Sequence, residues 1–202
     1  MKKKKTLRSR FEDNYTTVTE RADNKKGYTI RYVYYAPWYV WQISEDTFQR
    51  KKRLLATLEL SGLVLFLAAV LFQSPLNSTP LVIFPTALAF CAQVMELSGV
   101  VDFLTVKTRT TQIRHEDIQR RLVFYPTVRS IMMALAALAS IGFLVSDRAT
   151  NGIWIIPAFA ICSALAWQVQ NMIREIPVRV ENNDAMAKIV EQERREQQDD
   201  SQ

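Results

Sequence analysis

The stretch LELSGLVLFLAAVLF, Leu58 to Phe72, places one carboxylate, Glu59, at the head of a run that otherwise carries no charge. A second copy of the tetrapeptide ELSG stands in MELSGVVDFL, which begins at Met95 and sets Glu96 inside another apolar run. An ionised acid is costly in apolar surroundings unless it has a partner. What surrounds these two therefore decides what kind of molecule the chain is.

Working outward, four stretches are long and apolar: Leu54–Phe72, Leu81–Val101, Pro126–Val145 and Ile153–Ile173. At about 1.5 Å per helical residue each covers roughly 28 to 32 Å, the thickness of bilayer hydrocarbon. Mean hydropathy near zero and 23% charged residues suggest a soluble protein until the charges are located, and they lie almost wholly outside these stretches. A soluble alternative needs four helices, apolar on every side, inside one domain. The third stretch is free of charge only from Ser130, so a crossing there must begin near Pro126 with Arg129 one turn inside. Pro126 suits the first turn of a helix, where its missing N–H has no partner to lose.

Lysine and arginine are distributed unevenly. Residues 1–53 hold fourteen, 103–128 hold five, and the tail from Arg174 holds five, whereas the turns around QSPLNSTP and SDRATNG hold one, Arg148. The positive-inside rule puts both termini and the middle connection in the cytoplasm. MKKKK is not followed by an apolar run until Leu54, so no secretory signal is expected and the first span stays as an anchor. The lysine-rich start and the minimal outer turns are those expected of a bacterial cell-membrane protein. Cys91 and Cys162 fall near the middles of predicted spans and form no CxxC pair, which argues against redox or metal chemistry.

The expected fold is an all-α integral membrane protein: a four-helix transmembrane bundle of two similar hairpins, with a small cytoplasmic β-hairpin at the N-terminus. Residues 1–53 form a basic cytoplasmic region, 54–173 the four-span domain with a cytoplasmic loop at 102–125, and 174–202 a charged cytoplasmic tail. YTTVTER at Tyr15 and YTIRYVYY at Tyr28 alternate like strands, with ADNKKG between them as the turn. YYAPWYVWQ is dense in amphipathic rings and is expected along the inner interface. QISEDTFQRKKRLL from Gln42 matches QIRHEDIQRRLV from Gln112 in several positions, and VIFPTALAFCAQV parallels WIIPAFAICSALAWQV, at an offset near seventy to seventy-five residues. This suggests two copies of one unit: basic elbow helix, span, tight turn, span back. From Asn183 the tail reads as a charged helix with a frayed end, capped by Asp184; a solvated, partly disordered tail is the favoured reading, with a narrow docking stripe of Ala185, Met186 and Ile189 as the alternative.

Antiparallel geometry sets the two ELSG copies at comparable depth, Glu59 about 7 Å inside its span. Ser61, Gly62, Ser98 and Gly99 are small and would let the first two helices approach closely. In the repeat, Arg129 occupies the position of Glu59, which predicts a Glu59–Arg129 ion pair with Glu96, Gln93, Gln168 and Asn171 completing an intramembrane polar layer. One arginine cannot balance two acids, so one glutamate is expected to keep its proton. Three readings stay open: the layer fastens the bundle, it binds or relays a proton or cation, or both acids reach back to the headgroups. Asp102, at the inner edge, is expected to be solvated.

Enzyme chemistry finds little to build on. His115 is the one histidine, expected to be exposed in the elbow, and Glu116 and Asp117 diverge on a helix. There is no glycine-rich phosphate loop and no nucleophile in a recognisable context. No catalytic residue, cofactor or metal is expected. MKKKK, QRKKR and IQRR are read as topology signals that attract anionic lipid at the inner face, with no nucleic-acid partner. The expected function is that of a non-enzymatic scaffold, regulator or accessory subunit, with a protein partner or a second copy on its cytoplasmic surfaces. The alternative is a small homo-oligomeric transporter or channel using Glu59 and Glu96.

Overall fold

The computed structural model describes residues 13–21, 28–147 and 152–184. The expectations for the hairpin turn at 22–27, for Arg148 and for the tail beyond Asp184 lie outside the described residues. In chain order the elements are β1 (Tyr15–Arg21), β2 (Tyr28–Tyr34), β3 (Trp38–Trp41), α1 (Glu45–Leu71), α2 (Pro80–Thr105), β4 (Arg109–Thr111), α3 (Gln112–Asp147), α4 (Ile155–Arg174) and β5 (Val178–Glu181). They divide into a strand unit, from residues up to 40, 109–114 and 178 onward, and a helical unit from 41–108 and 115–177.

In the strand unit, β1 and β2 form an antiparallel hairpin in register from Tyr15↔Tyr34 to Arg21↔Tyr28. A second sheet has the order β4-β3-β5, with β3 and β4 antiparallel. Tyr34 ties these pieces together. Its hydroxyl donates to the Pro37 carbonyl at 2.7 Å and accepts from the Gln112 N–H at 2.9 Å, while Asn183 Nδ2 donates to the Tyr34 carbonyl at 2.7 Å.

In the helical unit all four helices are long and apolar enough to cross a membrane. Ser44 caps α1 by accepting from the Thr47 N–H, and Glu45 and Asp46 favour its positive end. At the far end Asn77 Nδ2 donates to the carbonyls of Ala69, Val70 and Phe72, which the helix itself leaves open. Helix α1 buries Phe48, Lys52, Leu55, Glu59, Gly62, Phe66 and Ala69, spaced alternately by four and three residues. Val82, Thr86, Ala89, Gln93, Glu96, Val100 and Phe103 repeat that spacing in α2, and Ile155, Phe159, Cys162, Ala166, Val169 and Ile173 in α4. A period of 3.5 is the signature of helices meeting along one seam.

The polarity of the helical unit is inverted relative to a soluble bundle. Leu60, Val64, Leu71, Leu81, Phe84 and Leu138 are exposed, while Lys52, Glu59, Gln93, Glu96, Arg129 and Gln170 are buried. Only 28% to 44% of each helix's apolar window is covered by the protein itself, so most of the apolar surface faces outward.

The ends of the helical unit differ. At one end the turns touch: Phe72 and Trp154 rings meet at 5.2 Å, and Gly152, with φ at +89°, lies against Ser74 so closely that a Cβ would strike its side chain. At the other, the Trp41 N–H donates to the Thr108 carbonyl and the Gln42 N–H to the Pro177 carbonyl, both at 2.9 Å. The segments before α1, after α2 and after α4 are thereby stitched side by side.

Two expectations are corrected. The elbow and the third span are one helix, α3, which continues through Pro126 rather than starting there. The proline costs a backbone hydrogen bond, but it sits on the buried seam between Leu122 and Arg129, where packing on both sides holds the helix together. His115 is buried, because it occupies the same seam one turn before Ile118. Within YYAPWYVWQ, Trp41 is 2% exposed and packs with Phe48, Phe103 and the His115 ring, the last at 4.9 Å.

Candidate functional site

Each helix contributes to one layer near the middle of the helical unit. Glu59 comes from α1 and Glu96 from α2, each at a seam position; the neighbours of Glu59 three and four residues away are apolar or small, and Glu96 has Gln93 one turn before it. Arg129 enters from α3. Its Nη1 lies 3.0 Å from Glu59 Oε1 and its Nη2 3.1 Å from Glu96 Oε1, so the two prongs of one guanidinium serve two carboxylates on different helices. The side chains are 3%, 1% and 0% exposed, so protein alone seals them. Gln93 is satisfied with its amide oxygen facing Arg129 Nη1 at 2.9 Å and the Leu63 N–H at 3.2 Å.

The fourth wall is α4. Cys162 Sγ sits 3.7 Å from the Gly62 carbonyl, and Ser163 Oγ donates to the Ser130 carbonyl at 2.8 Å. Of the polar residues expected from α4, Gln168 is exposed and Asn171 half-buried, and the structure does not bring them to the cluster. Gln170 is buried instead and donates to Thr127 Oγ1 at 2.6 Å. The signal for Gln170 was in the sequence: it follows Ala158, Cys162 and Ala166 at intervals of four, whereas Gln168 lies about 200° round the helix from Ala166.

The small residues of the two ELSG copies act across a different seam from the expected one. A Cβ on Gly62 would lie 3.8 Å from Arg129 Nη1 and from Leu165 Cδ1, so this glycine faces α3 and α4. Gly99 is tighter: a Cβ there would come within 2.7 Å of Arg121 Cβ and 3.1 Å of Leu122 Cδ2 on α3. Ser61 is exposed and bonds back to its own helix. Asp102 forms a 2.7 Å ion pair with Arg121, both side chains more than a third exposed, a position where such a pair contributes about 0–1 kcal/mol.

Nearer the stitched end, Lys52 is buried with its Nζ donating to the carbonyls of Leu104 at 3.0 Å and Val106 at 2.5 Å. It places a cation where the end of α2 leaves carbonyls open and partially negative. Burial holds the His115 imidazole below its ordinary range, with Glu116 acting in the opposite sense.

The chemistry available is charge balance. Two carboxylates face one guanidinium, and the cluster carries a net negative charge if both acids are ionised. Among the described residues no group of three or more His, Cys, Asp or Glu could hold a metal ion. Compared with known protein families, curated proteins and solved structures, the chain matches none.

Proposed function

We propose that the chain is an integral membrane protein that crosses the bilayer four times, with both termini and the 102–125 connection in the cytoplasm. It acts there as a non-enzymatic scaffold, regulator or accessory subunit that docks another protein. The inverted polarity supports insertion, because lipid accepts an apolar exterior and the inward charges are paired. The uneven lysine and arginine count supports the orientation.

The observation that carries the docking role is the sheet β4-β3-β5, whose strands come from three separate segments of the chain. Polar sequence from before the first helix, between the second and third, and after the fourth is gathered into one folded surface. On β2, Tyr28, Ile30 and Tyr32 alternate along one face and are 46%, 53% and 61% exposed, an apolar ribbon face of the kind that partners cover.

The test is purification of the full-length chain from its native membrane in mild detergent. The expected result is a defined complex with a different membrane chain that dissociates in the I30S/Y32S variant. A symmetric homo-oligomer with no other chain, unaffected by that variant, overturns the accessory reading.

A further inference from the structure

We infer that Glu59, Glu96 and Arg129 form a proton-binding site that takes one proton per chain, held between Glu59 Oε2 and Glu96 Oε2. This goes beyond the docking role and stands independently of it. Each carboxylate gives one oxygen to the guanidinium, and the other, Oε2 in both cases, is buried with no hydrogen-bond partner. The two carboxyls are held side by side on one guanidinium, Glu59 by Nη1 and Glu96 by Nη2. Two carboxylate oxygens cannot bond without a donor, and an added proton supplies one: a carboxylate becomes a carboxylic acid whose O–H donates to its neighbour.

The groups facing this point from every helix define its charge. Helix α1 brings Glu59, α2 brings Glu96 and the neutral Gln93, α3 brings Arg129, and α4 brings the Cys162 thiol. Asp102 and Arg121 are engaged with each other, and Lys52 with the carbonyls after α2. With one proton bound the cluster is neutral; without it a negative charge stays buried and uncompensated, which is costly in a low-dielectric interior. The ligand is a proton rather than a metal ion because the donor set is too small. The Gln93 oxygen is already used, which leaves two free oxygens, and hard cations take about six or more.

Infrared spectroscopy of the full-length protein in lipid nanodiscs at neutral pH tests this. The expected result is a carboxylic-acid C=O band, shifted in D2O, equivalent to one acid per chain. It is absent from E59Q and from E96Q, and it persists in D102N. Glutamine is isosteric with the protonated acid, so both variants should keep the wild-type unfolding midpoint. Should one fail to fold, the other and the wild-type D2O shift still decide. Absence of the band from the wild type, its persistence in both glutamine variants, or its loss when sodium replaces potassium would each overturn the proposal.

Discussion

Arg129 Nη1 lies 3.0 Å from Glu59 Oε1 although the residues are 70 positions apart, and both side chains are almost wholly withdrawn from solvent. The pair joins the first helix to the third, and the second prong of the same guanidinium joins the third to the second through Glu96. A single residue thus clasps three helices.

Removing the clasp from the cationic side leaves two acids buried without a counter-charge. R129M is expected to destabilise the protein by about 3–5 kcal/mol. The exchanged pair E59R/R129E should recover part of that loss, because it keeps a cation between two acids. Reversible unfolding in mixed micelles measures both. Equal stability of R129M and wild type would mean that the cluster does not fasten the helices.

The two ELSG glycines should respond differently to a methyl group. G62A meets its neighbours at ordinary contact distance and should be near neutral. G99A forces a methyl against Arg121 Cβ, which is fixed to the backbone of α3, and should cost about 1–3 kcal/mol. The same unfolding assay separates them, and equal effects would contradict the close approach of α2 and α3.

His115 predicts an acid-side loss of stability. Its folded-state value lies below that of the unfolded chain, so the unfolded chain takes up the proton first. Stability is full above about pH 6.5, the unperturbed imidazole value, and declines as pH falls below it until the folded imidazole is also protonated. H115F should remove this slope. E116Q should steepen it, since Glu116 now offsets part of the burial effect. Quenching of Trp41 fluorescence over the same pH range gives an independent readout, because the indole and imidazole are in contact.

Much of this was legible from periodicity. The four apolar stretches are unmistakable because charge is nearly excluded from them, and Glu59, Glu96 and Arg129 stand out as the exceptions. The hairpin of β1 and β2 is visible in strict alternation. What escaped was rotational phase. Gln168 and Asn171 lie within the same span as Gln170, yet membership of a span does not say which face of a helix turns inward. The same omission left His115 on the surface and made Lys52 a mere topology charge, though both sit on 3.5-residue seams. Proline misled in the other direction: the local preference of Pro126 for a helix start was overridden by tertiary packing along α3. The sheet β4-β3-β5 could not be foreseen, since β4 has three residues and owes its existence to strands distant in the chain.

The account rests on lipid surrounding the four helices and on the basic end facing the cytoplasm. Its most direct test is labelling with a membrane-impermeant maleimide in intact cells, using single cysteines in a C91A/C162A background. E116C should stay unlabelled until the membrane is opened, and Q73C, exposed in the opposite turn, should label at once. Immediate labelling of E116C, or a chain that remains in solution without detergent, would contradict it.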